Sequence, residues 1–388
     1  MNQKTVILRG PALTQSGYGV HCRQVARWLL SKSNIDVRFH VLPWGDTPWL
    51  VNPSHHDGLI GKIMERTVDG NYRADVSLQL QLPNEWDPKI AKFNIGMTAG
   101  VETDKCNPDW LKSIDSMNAV IVPSKHVANC FNNTGTTTTP VHIIPESFID
   151  EIKLSNDRLP TLPNFSTDFN FLLFGQITGN NPYNDRKNTF FALKWLCETF
   201  KNDQNVGIVI KTNAGRNTKF DKGIVKNLLR GVLAECRKGP YPKIHLLHGD
   251  MNDADVAALY RHPQIKALVA LSRGEGYGLP ILEAAASGLP VIATDWSGHL
   301  DFLNHGKWIN IQQKLDEIHQ TRIDNKIFLK GMKWANPSEE DFKRKVNKFK
   351  NSSSVPREWA EDLKNKLINQ YDYDHIANQY DNLLKDVI

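Results

Sequence analysis

SRGEGYGLPILEAAASGLPVIATDWSG, residues 272 to 298, sets a glycine-punctuated acidic loop against the start of a short helix, between two apolar strands. Gly274, Gly276 and Gly278 let a backbone approach a ligand closely and turn its N–H groups outward. Pro280 suits the first helical position and Gly288 the helix stop. The flanking stretches, Ile265 to Leu271 and Pro290 to Thr294, are continuous apolar runs of strand length, the pattern of buried parallel strands. The segment therefore reads as one βαβ unit built to hold a phosphorylated ligand.

Two carboxylates in this unit, Glu275 in the loop and Glu283 in the opening turn of the helix, stand eight positions apart and can face one crevice. A carboxylate accepts hydrogen bonds in pairs and so reads vicinal hydroxyls, which points to a ligand with sugar rings on either side of its phosphates. The plainer alternative makes Glu283 a partner of the helix dipole and Glu275 a solvated loop residue. The glycines, the proline and the strand context weigh against it.

The pattern Glu275, Gly276-Tyr277-Gly278-Leu279-Pro280, Glu283-Ala284 and Ser287-Gly288-Leu289-Pro290-Val291-Ile292-Ala293-Thr294 resembles the nucleotide-sugar site of family-four glycosyltransferases. The resemblance is strong over 265 to 298 and looser elsewhere. It implies an α/β chain of the GT-B fold: two Rossmann-like, doubly wound domains facing a cleft, with a C-terminal helix crossing back to the first domain. It also implies transfer of a sugar from a nucleoside diphosphate sugar, a co-substrate rather than a bound cofactor, with retention at the anomeric carbon and without a metal. By resemblance Glu275 contacts the donor sugar, the amides of Gly276, Tyr277, Gly278 and Leu279 contact the diphosphate, and Glu283 holds the ribose.

The 388 residues suffice for two domains with full cores. The N-terminal MNQKTVILRG has only a short apolar run, and no segment approaches the length of a membrane span, so a cytoplasmic protein is expected. Five scattered cysteines and 13 histidines show no spacing that makes a metal site persuasive. Residues 1 to 158 carry 16 Lys and Arg against 16 Asp and Glu, so the net charge of +5 lies wholly after them. Charge thus nominates no polyanion for the first half. Acceptor classes stay open: a glycan, a lipid-linked sugar, a small molecule or a modified DNA base.

Strand-like TVILRG at 5 to 10, a helix from about His21 to Leu30 and strand-like Asp36 to Pro43 set a βαβ rhythm. It resumes with strands from Phe93, from Asn118 and from Val141, separated by helices around Pro108 to Met117 and from about Lys125. This predicts an N-terminal Rossmann-like acceptor domain over 1–158. Prolines 160 and 163 mark a linker at 159–168. A nucleotide-sugar domain over 169–360 follows, with strands at Phe169 to Gly175, Val206 to Thr212 and Lys243 to Gly249. Residues 361–388 are expected to form the helix that packs back on the first domain.

Other candidates lie outside the glycine loop. Arg186 and Lys187 follow Gly175 through a long loop that includes Gln176 and Gly179, and precede a helix. In the resembled family a basic pair from this region neutralises the diphosphate and assists its departure. The family often has arginine directly after the glycine, where this chain has Gln176. The alternative is an exposed basic pair. Lys211, at a strand end, is a further phosphate candidate. Gly17 and Gly19, in SGYGVH at 16 to 21, lie against the diphosphate or the acceptor, or form a plain tight turn. In Gly100-Val101-Glu102-Thr103-Asp104 the carboxylates follow a strand at the edge where α/β crevices bind ligands. Glu102 positions a sugar there or supports the loop. In Phe342 to Lys350 the residues Phe342, Val346 and Phe349 form one stripe beside lysines, read chiefly as a solvated helix face rather than a membrane or nucleic-acid contact. Two other readings share the donor motif: a nucleotide-sugar epimerase of the same fold and a non-catalytic sugar-nucleotide-binding module.

Overall fold

The structure, a computed structural model, describes residues 3–100, 102–175 and 181–388. Gln176 and Gly179, with the rest of 176–180, and Val101 lie outside the described residues. The chain divides into two units: residues Met1–Ser147 with Tyr373–Ile388, and residues Phe148–Asp372.

The first unit is a six-stranded parallel sheet of β1 (Lys4–Gly10), β2 (Ile35–Val41), β3 (Ala74–Leu80), β4 (Ala91–Met97), β5 (Ala119–Val122) and β6 (Val141–Ile143), in the order β2-β1-β3-β4-β5-β6. Strand β3 has no continuous apolar run: Ser77 and Gln79 interrupt it, and both are nonetheless fully buried. Both are satisfied internally. The Ser77 hydroxyl donates to Asn94 at 2.7 Å, and the Gln79 amide donates to the Asp87 carbonyl at 2.8 Å. The helix Gly17–Leu30 packs against the sheet through Cys22, Val25, Ala26 and Leu29.

The last helix, Tyr373–Leu384, returns to this unit. Its apolar stripe of Ile376, Tyr380 and Leu384 joins the first core. Tyr380 packs 5.0 Å from the ring of Trp28, and the Trp28 indole N–H donates to Asp381 at 2.8 Å. The Arg27 guanidinium lies 3.7 Å over the Tyr373 ring.

The second unit holds β7 (Phe169–Phe174), β8 (Val206–Thr212), β9 (Lys243–His248), β10 (Ile265–Ala270), β11 (Val291–Thr294) and β12 (Ile309–Ile311), parallel in the order β12-β11-β10-β7-β8-β9. Its boundary comes earlier than the proline-marked stretch: Phe148 and Ile152 are buried in its core, and Phe165 packs against it. The helix Glu339–Asn351 buries Phe342, Val346 and Phe349 in the second core. The lysines face out, where Lys343 pairs with Glu339 at 2.6 Å and Lys350 with Asp203 at 3.4 Å. An antiparallel hairpin of β13 (Gln313–Glu317) and β14 (Lys333–Pro337) interrupts the α/β rhythm and encloses a small core of Ile318, Phe328, Met332 and Trp334.

The two parallel sheets with a returning terminal helix make this a GT-B fold. No described helix is long and apolar enough to cross a membrane.

Candidate functional site

In the second sheet the strand order reverses between β7 and β10. Loops leaving the carboxyl ends of two such strands part on opposite sides and leave a crevice between them. Arg186 and Lys187 come from the loop after β7, and Glu275 from the loop after β10, so the topology delivers both charge types to one place.

Glu275 is 6% exposed, and its carboxylate is held from three sides. Lys187 Nζ donates to Oε1 at 2.7 Å and to Oε2 at 3.0 Å, Arg186 Nη1 donates to Oε2 at 2.9 Å, and Ser272 Oγ donates to Oε1 at 2.6 Å. Burial alone would push this carboxyl up, but the charges of Lys187 and Arg186 outweigh it and hold the group well below the usual carboxylate range. The group is therefore a buried, ionised carboxylate rather than a solvated loop residue. Arg186 also donates to the Gly274 carbonyl at 2.8 Å, and the Arg273 N–H donates to the Arg186 carbonyl at 2.8 Å, which ties the two loops together.

The scaffold of this cluster includes residues that the sequence reading passed over. Asp185 is buried and accepts the Lys187 N–H at 3.0 Å and the Thr189 N–H at 2.7 Å, so it satisfies the first amide of the helix Thr189–Thr199 from three residues before the N-cap, Asn188. Asp185 lies too far ahead of the helix to read as an N-cap in the sequence, and it fixes the backbone of its basic neighbour Lys187. Ser297 Oγ accepts the Glu275 N–H at 2.9 Å, and the Gly298 N–H donates to the Glu275 carbonyl at 2.9 Å. A Cβ at Gly298 would stand 2.1 Å from the Gly276 carbonyl oxygen, so the turn lies flat on the glycine loop. On the other side, the hairpin turn meets the basic loop: Asn184 donates to the Thr321 carbonyl at 3.1 Å, and Tyr183 stacks on His319 at 5.3 Å.

The helix Leu279–Ala286 begins at Gly278, whose φ of +102° and ψ of +52° few other residues adopt, and Pro280 occupies its second position. Gly288 follows its end in the left-handed region. The first N–H groups of any helix lack intrahelical partners, so this start presents donors beside Glu275. The Tyr277 side chain points instead into the core, 5.4 Å from the Phe302 ring, which leaves only its backbone for a ligand.

Glu283 sits one turn into this helix and is not in the Glu275 cluster. It is buried and accepts the Tyr260 hydroxyl at 3.1 Å. Burial pushes its carboxyl up to about 8 against the pull of that hydrogen bond, with the charges of Asp253 and Glu151 adding to the rise. Lys211 ends β8 and is likewise buried, with its ammonium donating to the Gly249 carbonyl, and burial lowers its pKa. The two lysines thus differ: Lys187 reaches Glu275, and Lys211 is committed to a backbone carbonyl.

In the first unit the Ser16 hydroxyl caps the helix by accepting the Gly19 N–H at 3.0 Å. A Cβ at Gly19 would meet the Thr14 carbonyl oxygen at 2.1 Å, whereas Gly17 faces open space. Gly19 is thus explained by close packing of the turn. Tyr18 stacks on Trp44 with ring centroids 3.9 Å apart, and its hydroxyl accepts the Ala99 N–H at 3.0 Å. Burial raises the Tyr18 pKa, the hydrogen bonds with Thr98 and Ala99 oppose the rise, and the negative charge of Glu102 adds to it.

Comparison with known proteins places this geometry in context. Residues 241–370, about a third of the chain, match the family model described as glycosyl transferases group 1. A probable sucrose-phosphate synthase of Thermosipho melanesiensis is 26% identical over 168 residues, which are 42% of this chain and 35% of that protein. The chain therefore aligns with about a third of that relative's length. Among solved structures, HepE of Anabaena in complex with UDP and glucose superposes with a TM-score of 0.63 at 13% identity, over 99% of this chain and 100% of that one. The sucrose-phosphate synthase of Thermosynechococcus elongatus gives 0.61 at 12% identity, over 99% of each chain. At such identities these likenesses show the fold.

Proposed function

We propose that the protein is a glycosyltransferase that moves a sugar from a nucleoside diphosphate sugar to an acceptor, with retention of anomeric configuration and without a metal. The observation that carries this reading is the Glu275 cluster: an ionised carboxylate clamped by Lys187 and Arg186 at the switch point of the second sheet, beside a glycine-lined helix start. The family match over residues 241–370 supports it.

In this account the diphosphate lies at the start of the helix Leu279–Ala286, taking hydrogen bonds from the amides of Gly276 to Leu279. Glu275, ionised, accepts hydrogen bonds from hydroxyls of the transferred sugar, and the carboxyl of Glu283 hydrogen-bonds the ribose. As the bond from the anomeric carbon to the diphosphate oxygen breaks, its electron pair passes to the diphosphate, and Arg186 and Lys187 stabilise the charge. The acceptor oxygen bonds to the anomeric carbon and passes its proton to the departing diphosphate oxygen. Glu102, on the first unit, is assigned to the acceptor side. Positive side chains and oriented amides supply the stabilisation that a metal supplies in other transferases.

The test is direct. The full chain is screened against nucleoside diphosphate sugars by thermal shift, and then, with the stabilising donor, against acceptors by mass spectrometry. A glycosylated product whose new linkage keeps the donor's anomeric configuration by NMR is expected. Release of an epimerised nucleotide sugar with no transfer to any acceptor overturns the reading.

A further inference from the structure

The second unit has a groove of about 780 Å³ at the amino ends of β10 and β11, lined in part by Ile265 and Pro290. Glu275 follows the carboxyl end of β10, so the length of the strand, about 20 Å at the usual rise per residue, separates the groove from the Glu275 cluster. The volume falls within the range of small-molecule sites, and Leu154, Leu289 and Ile368 provide apolar wall.

The charges lining this groove are lopsided. Lys153, Arg261, Lys266, Arg357 and Lys364 face it with a single carboxylate, Glu361. Lys364 is taken up by Glu361 at 2.8 Å, and Lys153 by Asp372. Arg261 donates to the carbonyls of Ile152 and Leu154 and to Asn156, so it braces the Lys153–Asn156 turn, and Glu361 acts on its charge from a distance without a hydrogen bond. Lys266 donates to the Pro263 carbonyl. Among the described residues no carboxylate is hydrogen-bonded to Arg261, Lys266 or Arg357. Burial first, and then the nearby Arg357 charge, lower the Lys266 pKa, against the opposing pull of Asp168.

A second, independent observation concerns Ser287, at the end of the helix Leu279–Ala286. This residue is more than nine-tenths buried, lines the groove, and its hydroxyl has no hydrogen-bond partner among the described residues. Buried polar atoms without partners are rare and call for one. Three cations with no hydrogen-bonded carboxylate, around an unpaired hydroxyl and beside an apolar wall, form the recognition set of a phosphate ester with an organic body.

We propose that this groove binds a phosphomonoester, with Lys266 and Arg357 on the phosphate and Ser287 donating to it, at a site separate from the nucleotide-sugar crevice. The concave shape favours a small soluble ester. A lipid headgroup shares the same chemistry.

The test is titration calorimetry of the full chain with glycerol 3-phosphate and with inorganic phosphate, at low and moderate salt. It compares wild type, Lys266→Ala/Arg357→Ala and Lys187→Ala. The expected result is saturable binding that weakens at least tenfold in the double variant, persists in Lys187→Ala and declines with salt. Should the double variant fail to fold by circular dichroism, Arg357→Gln alone is expected to weaken binding at least threefold. Co-sedimentation with phosphatidylcholine vesicles containing phosphatidic acid separates the sources. Vesicle binding that is lost in the double variant, with no response to glycerol 3-phosphate, assigns the groove to a lipid phosphate. Binding that ignores Lys266 and Arg357, binding that is lost in Lys187→Ala, or no binding of any probe overturns the proposal.

Discussion

Glu275 and Glu283 have the same side chain, eight positions apart, and opposite electrostatics. Glu275 is buried among cations and stays ionised; Glu283 is buried against a tyrosine hydroxyl and holds its proton up to about pH 8. The signs of their contributions to stability follow. A depressed carboxyl stabilises the fold above its unfolded pKa and loses that contribution as pH falls, so Glu275→Gln is expected to lower the melting temperature at neutral pH and to matter progressively less toward pH 3. The same variant should reduce turnover at least tenfold while changing nucleotide affinity little, because its partner in the proposed complex is the sugar. Equal losses of stability at pH 3 and pH 7 would contradict the charged clamp.

Glu283 behaves in reverse. A carboxyl raised above its unfolded value of 4.5 favours folding at low pH, and this contribution is lost as pH rises toward about 8. Glu283→Gln should therefore flatten the decline in stability between about pH 5 and pH 8, as read from thermal unfolding across that range. An unchanged profile would show that Glu283 titrates normally.

Among the elements, the helix Leu279–Ala286 was the most legible in the sequence, because its glycines and proline are local conformational requirements. Gly278→Ala should cost about 1–3 kcal/mol, since φ of +102° is strained for a side-chain-bearing residue and the new methyl would stand 3.3 Å from His299 Cβ. Denaturant unfolding measures this, and a neutral substitution would argue that the loop relaxes freely. Other elements were less legible for identifiable reasons. β3 hides behind Ser77 and Gln79, whose burial depends on the hydrogen bond that Ser77 donates to Asn94 and on those that Gln79 exchanges with the Asp87 backbone, partners outside the strand itself. The lysine-flanked stripe of Phe342, Val346 and Phe349 suggested a solvated helix, and the structure buries it. Periodicity identified the helix but not the surface that receives its apolar face. The hairpin Gln313–Pro337 is anchored by its own small core and by Asn184 and Tyr183, contacts that no local pattern announces.

On the scale of the whole molecule, the alternation of strands and helices carried the doubly wound class, and the strand orders supply what it could not: the reversal between β7 and β10 that joins Lys187 to Glu275 across 88 positions of sequence. Glu283, located by the motif, and Lys211, located by its strand end, show the limit of such signals, which do not reveal the Tyr260 hydroxyl and Gly249 carbonyl that hold them. Two units imply two assayable roles. Glu102→Ala alters only the first unit, so it should lower the transfer rate at least fivefold and leave nucleotide affinity within twofold of wild type. Unchanged transfer kinetics in the folded variant would remove Glu102 from the acceptor side.

The claim on which the account rests is that the Glu275 cluster receives a nucleoside diphosphate sugar. Calorimetric titration of the stabilising nucleotide sugar into wild type and Lys187→Ala tests it most directly, with unfolding measured alongside, because Lys187 also helps to hold Glu275. A charge-assisted hydrogen bond contributes about 1.5–3 kcal/mol, so the account predicts affinity at least tenfold weaker in the variant. Equal affinity in wild type and folded Lys187→Ala would contradict it.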